Sequence, residues 1–350
     1  MRLSESDLIG AAREVLVGLG ESADNATLAA ELFVQADLRG VSTHGVNLLR
    51  LVSQRVEAKL LDLPTTCSIE SDSAAAAVLN GNNGLGQIAA SMALDIACDK
   101  AGRFGIAMAT LKNTNNIGAL GCLSLKATRR GYIALIMTNG NPSVAPYGAA
   151  RPFFGTNPLS IAVPRGNAGP LVLDMSSSIV ARGKIRLASM SGQEIPLGWA
   201  LDDAGLPTTD PKKALKGCLL PLAGPKGSGL AMMIDILSGL LAGAAYGDKL
   251  KSFHELEGPT GVGAVFICID IGFFMDKEKF TSLLMDYSER MKGLARQPGF
   301  DEILLPGELE TKKEAESHQS GIEVPDVVVD NINDLLKKLN STSRLQAREW

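Results

Sequence analysis

From Ser4 to Val56 apolar residues recur about every three or four positions, the period of helices with one buried face. Ser4 is placed to cap a helix whose buried face carries Leu8, Ala11, Ala12, Val15 and Leu16, ending near Gly18 or Gly20. A second helical pattern runs from about Asn25 to Leu38, with Leu28, Leu32, Phe33 and Ala36 on one side, and stops at Arg39-Gly40. A third carries Leu48, Leu49, Val52 and Val56. Between the last two lies Asp37-Leu-Arg-Gly-Val-Ser-Thr-His-Gly45, which puts His44 in or beside a helix–helix elbow.

From Ser68 the pattern changes to short β-like segments separated by helices. Ala75–Leu79, Ile106–Leu111, Tyr132–Thr138, Leu159–Val163, Leu171–Leu173 and Val265–Ile271 read as strands; Gln87–Lys100, Gly118–Arg129 and Asp276–Leu294 read as helices. Gly81-Asn-Asn-Gly84-Leu-Gly86 joins a strand to a helix N-terminus, where backbone N–H groups could meet an anion or merely close a tight turn. Two glycine-rich polar passages, Thr138–Gly148 and Phe153–Pro158, separate strands and have the composition of ligand-handling loops. Asp174 stands at a strand end, and Leu201–Pro211 reads as a polar hairpin-like region. Leu222-Ala-Gly-Pro-Lys-Gly-Ser-Gly229 opens an apolar stretch reaching Tyr246; interrupted by Asp235 and glycines, it reads as a buried helix and not as a membrane span. Lys226, at that helix entry, can reach a phosphate or carboxylate. Glu310–Glu316 and the helix from Asp330 to Leu339 read as peripheral, with the residues after Ser341 frayed.

Composition narrows the function classes. The 350 residues, 45% hydrophobic and 21% charged, can bury a large core in two domains or one large α/β unit. The net charge of −4, with both signs well mixed, gives no electrostatic footprint for nucleic acid or an anionic membrane. Five scattered cysteines read as reduced core thiols of a cytoplasmic protein, and the N-terminus has no apolar run of signal-peptide type. Only three histidines occur, with no Cys/His cluster to hold a metal. Among the three, His44 alone sits in a Gly-flanked break between helices, a suitable place for a proton donor or acceptor near neutral pH.

Seven motifs in order resemble the malate/L-lactate dehydrogenase family of the second type, which includes ureidoglycolate, sulfolactate and diketogulonate dehydrogenases and a cyclic-imine reductase. They are Ala36–Gly45, Asn80–Gln87, Tyr147-Gly148 with Gly155-Thr-Asn-Pro158, Leu173-Asp-Met-Ser-Ser177, Gly183-Lys184, Gly224-Pro-Lys-Gly227 and Leu305-Pro-Gly-Glu308. The resemblance implies a non-Rossmann α/β fold: a mixed-sheet cofactor domain over 71–274, and a helical N-terminal domain over 1–70 joined by helices from 275–345. It implies a homodimer whose active site uses both subunits, and hydride transfer between NAD or NADP and a small 2-hydroxy or 2-oxo carboxylate. By the same resemblance the cofactor would contact Gly140, Asp174, Met175, Ser176, Lys226, Pro306, Gly307 and Glu308, and His44 would give the proton to the carbonyl.

Two positions depart from the pattern. Asn116 stands where relatives usually carry a histidine; an amide can orient a carbonyl but exchanges no proton usefully at neutral pH. Leu48 stands where they commonly carry an arginine suited to gripping a carboxylate, and Arg50, two residues on, points elsewhere on a helix. These departures admit two alternatives: a reductase of cyclic-imine carboxylates, and a cofactor-binding homologue with impaired catalysis.

Overall fold

The computed structural model describes residues 1–347. Ser4 and Ser22 cap helices α1 (Glu5–Gly18) and α2 (Ala23–Leu38), their hydroxyls accepting from the N–H groups of Asp7 and Asn25. Two short 3-10 turns, Ser42–His44 and Val46–Leu48, then lead into α3 (Leu49–Glu57). These elements share one apolar core with the C-terminal helix α11 (Asp326–Lys338), built from Leu8, Leu16, Phe33, Leu49, Ile332 and Leu336 among others. The first strand β1 (Arg2–Leu3) pairs antiparallel with β11 (Ile322–Glu323), tying the two ends of the chain together.

The second core surrounds a seven-stranded sheet. Its strands are β2 (Ser68–Asp72), β3 (Ala76–Asn80), β4 (Ile106–Thr114), β5 (Tyr132–Thr138), β6 (Leu159–Val163), β7 (Leu171–Met175) and β10 (Val262–Asp270), ordered β2-β3-β4-β10-β5-β6-β7. Only the β3–β4 pairing is parallel. Residues alternate along β10: Ala264, Phe266 and Cys268 face α4 (Gly86–Phe104), while Val265 and Ile267 face α8 (Pro225–Asp235) and its continuation. Helix α5 (Leu120–Arg129) lies beside α4 and covers β5, β6 and β7. Because β3, β4, β5 and β7 run the same way, Asn80, Thr114, Thr138 and Met175 end at one edge of the sheet. The loops at that edge carry most of the residues singled out above.

Several expectations are revised. The apolar stretch after Lys226 is not a buried helix: α8 widens into a π-helix over Ile236–Leu241, and Met232, Met233, Leu240 and Leu241 face outward. The charged region after residue 308 is not peripheral. It forms α10 (Glu308–Ser320), docked on α2 through a 2.5 Å ion pair between Arg39 and Glu314 and a bond from the Ser317 hydroxyl to the Leu38 carbonyl. Nor are the residues just after Ser341 frayed, since Leu345 is buried and its N–H donates to Asn333 Oδ1 at 2.8 Å; residues 348–350 lie outside the described part. Helices α6 (Arg182–Ser191) and α7 (Pro211–Lys216) were not anticipated, and the Leu201–Pro211 passage connects β8 (Ala200–Leu201) to β9 (Cys218–Leu219) by way of α7. α9 (Lys277–Lys292) matches the expected amphipathic helix.

Candidate active site

His44 is presented by an elbow held from beneath. Asp37, buried in the last turn of α2, accepts the Val46 N–H at 2.8 Å. Its carboxylate lies so close to Gly45 that a Cβ there would come within 3.0 Å of all three of its terminal atoms, so only glycine fits. Burial, only partly offset by the Val46 bond, pushes the Asp37 carboxyl up to about 7. On the turn before Gly45, His44 Nδ1 lies 3.0 Å from the Thr43 hydroxyl. Burial, and then the charge of His254, lower the His44 pKa from the ordinary histidine value of 6.5. The imidazole is therefore neutral at physiological pH and poised to accept a proton.

Elements distant in sequence surround this elbow. Helix α6 starts against it: a Cβ on Gly183 would touch Thr43 Cγ2 at 3.7 Å. Arg186, one turn further along α6, is exposed, has no carboxylate partner among the described residues, and lowers the His254 pKa after burial of that imidazole. His254 is positioned by the loop whose Phe253 and Glu255 carbonyls accept from the buried Arg55 of α3. Neither His254 nor Arg186 stood out in the sequence. Leu48 is buried in the helical core.

At the sheet edge the polar groups are mostly committed to holding loops. Asn116 Oδ1 accepts the Gly118 N–H at 2.9 Å, leaving its amide N–H groups available. The neighbouring Asn115 is buried and donates to the carbonyls of Asn83 and Gly84. In the Gly81–Gly86 turn, Gly81, Asn82, Asn83, Gly84 and Leu85 spend their N–H groups on Lys112, Asn80, Asn113, Gly81 and Thr65, so these five hold the turn together. Gly140 donates to Asn157 Oδ1 at 3.3 Å, and Asn139 beside it bonds the buried Asp235 at 3.0 Å. Asp235 in turn accepts the Gly247 N–H at 2.8 Å.

Asp174, at the end of β7, accepts the N–H of Gly121 at 2.7 Å in the first turn of α5. The carboxyl is recessed but still reached by solvent; surrounding protein pushes it up to about 6, the Gly121 bond and Arg39 opposing. Its neighbour Met175 ends the strand opposite Leu159, and the hydroxyls of Ser176 and Ser178 lie 2.9 Å apart. The Ser177 carbonyl accepts from Leu222, so the segment after Asp174 runs alongside the approach to α8, where Lys226 projects into solvent in the first turn. On the outer edge of β7, the Pro306 carbonyl accepts the Val172 N–H at 3.0 Å. Gly307 has φ +88°, and a Cβ added to it would lie 3.1 Å from Val172, so a side chain there would be both strained and crowded. Glu308 bonds Lys292 at 2.7 and 2.8 Å; burial acts upward, but Lys292 and the Leu305 N–H outweigh it and hold the carboxyl below its ordinary value.

A cavity of about 760 Å³ opens beyond Glu308, lined by Arg39, Leu125, Arg165, Lys292 and Glu314 among others. That volume suits a small-molecule ligand. It meets the anticipated set only at Glu308, whereas His44, Asn116, Asp174 and Lys226 lie outside it. The anticipated residues thus fall into three places: the His44 elbow, the sheet edge from Gly140 to Lys226, and the outer side of β7.

The malate/L-lactate dehydrogenase family model matches residues 3–333. L-sulfolactate dehydrogenase of Methanocaldococcus jannaschii is 35% identical over 93% of this chain and 94% of its own; the solved sulfolactate dehydrogenase structure from that organism covers 97% of this chain and 98% of its own at a TM-score of 0.92. The NAD(+) ureidoglycolate dehydrogenase of Escherichia coli K12 is 32% identical over 93% of both chains. A Δ1-piperideine-2-carboxylate reductase structure from Pseudomonas syringae, 28% identical, covers 96% of this chain and 99% of its own at a TM-score of 0.84. With a mixed seven-stranded sheet, the anticipated motifs in order and relatives matched nearly end to end, the chain belongs to the malate/L-lactate dehydrogenase family.

Proposed function

We propose that the protein is an NAD(P)-dependent dehydrogenase that interconverts a small 2-hydroxy carboxylate and its 2-oxo acid, with His44 handling the proton. The observation that carries this reading is the His44 elbow: a neutral imidazole on a turn anchored by the buried Asp37, with His254 near it and, beside His254, Arg186, which has no carboxylate partner among the described residues. Family membership supplies the reaction class.

The sheet edge and the outer side of β7 fit a nicotinamide dinucleotide. Asp174 is exposed and bonds Gly121 through one carboxylate oxygen, which leaves the other to suit a ribose hydroxyl, and Lys226 is a cation at a helix N-terminus without a carboxylate partner among the described residues, which suits a phosphate. Gly140, Met175, Ser176 and Pro306, Gly307 and Glu308 complete the proposed set. When bound, the dinucleotide supplies or accepts the hydride.

The protein's own part is to orient and to move one proton. In oxidation, His44 accepts the hydroxyl proton of the substrate. In reduction it returns that proton, helped by the substrate's carboxylate, whose negative charge raises the imidazole pKa. With Leu48 buried, the carboxylate grip passes to Arg186 and His254, while the free amide N–H groups of Asn116 orient the carbonyl. A cyclic-imine carboxylate is a second candidate substrate, favoured by Leu48 and by the likeness to the piperideine-2-carboxylate reductase structure. The outward apolar face of Met232, Met233, Leu240 and Leu241 supports a homodimer, and five unbridged cysteines support a cytoplasmic location. No helix among the described residues is long and apolar enough to cross a membrane.

Loss of nicotinamide absorbance with NADH or NADPH, screened against malate-, lactate- and sulfolactate-type 2-oxo acids and a cyclic-imine carboxylate, tests the reading. Turnover of at least one 2-oxo acid, abolished in His44→Ala, is expected. Cofactor binding without turnover of any of them would overturn it in favour of a homologue that has lost catalysis.

A further inference from the structure

Two cysteines play no part in the proposed chemistry, yet they touch. Cys98, on the sheet-facing side of α4, and Cys268, two residues before the end of β10, have sulfur atoms 3.2 Å apart, and both are fully buried. Neither is bridged. Small side chains surround them: Cys268 is registered between Ala107 on β4 and Ala134 on β5, and Ala97 and Ala101 flank Cys98. A disulfide requires about 2.05 Å between the sulfurs, so closing the gap takes roughly 1 Å in total, within reach of small side-chain rotations.

We propose that Cys98 and Cys268 form a latent dithiol that hydrogen peroxide converts to an intramolecular disulfide, pinning α4 to the central strand of the sheet. The chemistry is asymmetric. Either thiol can donate the hydrogen bond between them; with Cys268 donating, that bond and the nearby Arg130 guanidinium favour the Cys98 thiolate against its burial and the opposing charges of Asp95 and Asp99. Cys98 is thus the nucleophile. Its sulfur attacks one peroxide oxygen; the O–O bond breaks, the other oxygen leaves as hydroxide and takes up the proton released by Cys98, and a sulfenic acid remains. The Cys268 sulfur then attacks the Cys98 sulfur, the S–O bond breaks, and the departing oxygen carries away the Cys268 proton as a second water. Two thiols lose two electrons, and one peroxide becomes two waters.

The cross-link joins residues 170 positions apart, so it removes much freedom from the unfolded chain. It also lies about three turns along α4 from Gly86, the end of that helix beside Asn116. The expected consequence is therefore greater stability with little change in turnover.

The test exposes the reduced full-length protein to hydrogen peroxide in sub-denaturing urea, which lets the core open briefly, followed by denaturing alkylation and intact mass measurement. Alkylation of three of the five cysteines is expected, with a peptide linking Cys98 to Cys268, a Tm higher by roughly 5 °C, and reversal by dithiothreitol. Cys98→Ser, treated identically, should alkylate at all four remaining cysteines and show no rise in Tm. Five alkylated cysteines in the wild type, oxygen adducts without the linked peptide, or a link through the more accessible Cys67 would each overturn the proposal. Should Cys98→Ser fail to fold, the wild-type peptide map decides alone.

Discussion

Gly45→Ala tests whether the His44 elbow is held by Asp37. The new methyl would lie under 3.0 Å from Oδ1, Oδ2 and Cγ of Asp37, a separation that real side chains do not tolerate. Asp37 cannot swing clear, because it is buried and anchors the Val46 N–H at 2.8 Å. Relief therefore requires a shift of about 1 Å in the carboxylate, the Gly45 backbone, or both. Overpacking costs about 1–3 kcal/mol, and losing the carboxylate's bond to Val46 adds about 1–3 kcal/mol. The same displacement moves His44, and a misplacement of about 1 Å at a reacting group lowers rates about 100-fold. Steady-state kinetics with the best 2-oxo acid should show kcat/KM falling by about that factor, alongside a lower Tm. In the double variant Gly45→Ala/Asp37→Gly the clash is gone but the anchor is missing too, so Tm should recover more than kcat/KM. Wild-type kcat/KM in Gly45→Ala would refute the account of the elbow.

Asp37→Asn removes a buried acid whose folded-state pKa, about 7, stands above its ordinary 3.8. The folded state then binds more protons than the unfolded state between those values, so this group's contribution falls as pH rises from about 4 to 7 and is level above. Urea titrations should show the wild type losing a few kcal/mol relative to the variant over that window; parallel pH profiles would count against the raised pKa. For His44 in the free enzyme the shift is downward, so kcat/KM for hydroxy-acid oxidation should reach half its plateau below pH 6.5, and His44→Gln should lose both rate and titration; a kcat/KM half-point at or above 6.5 would contradict the burial argument. Arg186→Ala should raise KM for the carboxylate substrate about tenfold while leaving KM for the dinucleotide unchanged, and an unchanged substrate KM would remove Arg186 from the site. Lys226→Ala should do the reverse, weakening dinucleotide binding in a fluorescence titration with the Tm unaltered; equal affinities would leave Lys226 a solvated lysine.

Local pattern carried much of the fold. The strands β4, β5 and β10 are apolar runs bounded by turns, and α1, α2 and α4 keep a helical period, so each was readable from its own residues. β2 was not read as a strand of its own, because it is a polar edge strand exposed at every position and pairing alone makes it a strand. α10 escaped for a related reason: almost uniformly polar, it docks through Arg39–Glu314 and Ser317, contacts between residues about 275 positions apart. The outward face of α8 was misread because an apolar helix covering a sheet and an apolar helix awaiting another surface have the same composition.

The site divides along the same line. His44 was legible because a lone histidine in a glycine-flanked break is conspicuous, whereas His254 comes near it only through folding across some 200 residues. Asp37, Asp174 and Asp235 show a subtler limit. Each is a carboxylate pushed upward by burial, and each accepts one backbone N–H, from Val46, Gly121 and Gly247 respectively. In sequence, an aspartate that holds a loop cannot be told from one that holds a ligand. The three differ in what remains after the loop is held: Asp37 and Asp235 are closed off by protein, while Asp174 still meets solvent. Burying Asp37 and Asp235 lowers stability near neutral pH, and each instead fixes a loop bordering the proposed reaction space. Asp174 alone is left with an oxygen to offer, so the functional assignment among these aspartates rests on exposure and not on residue type.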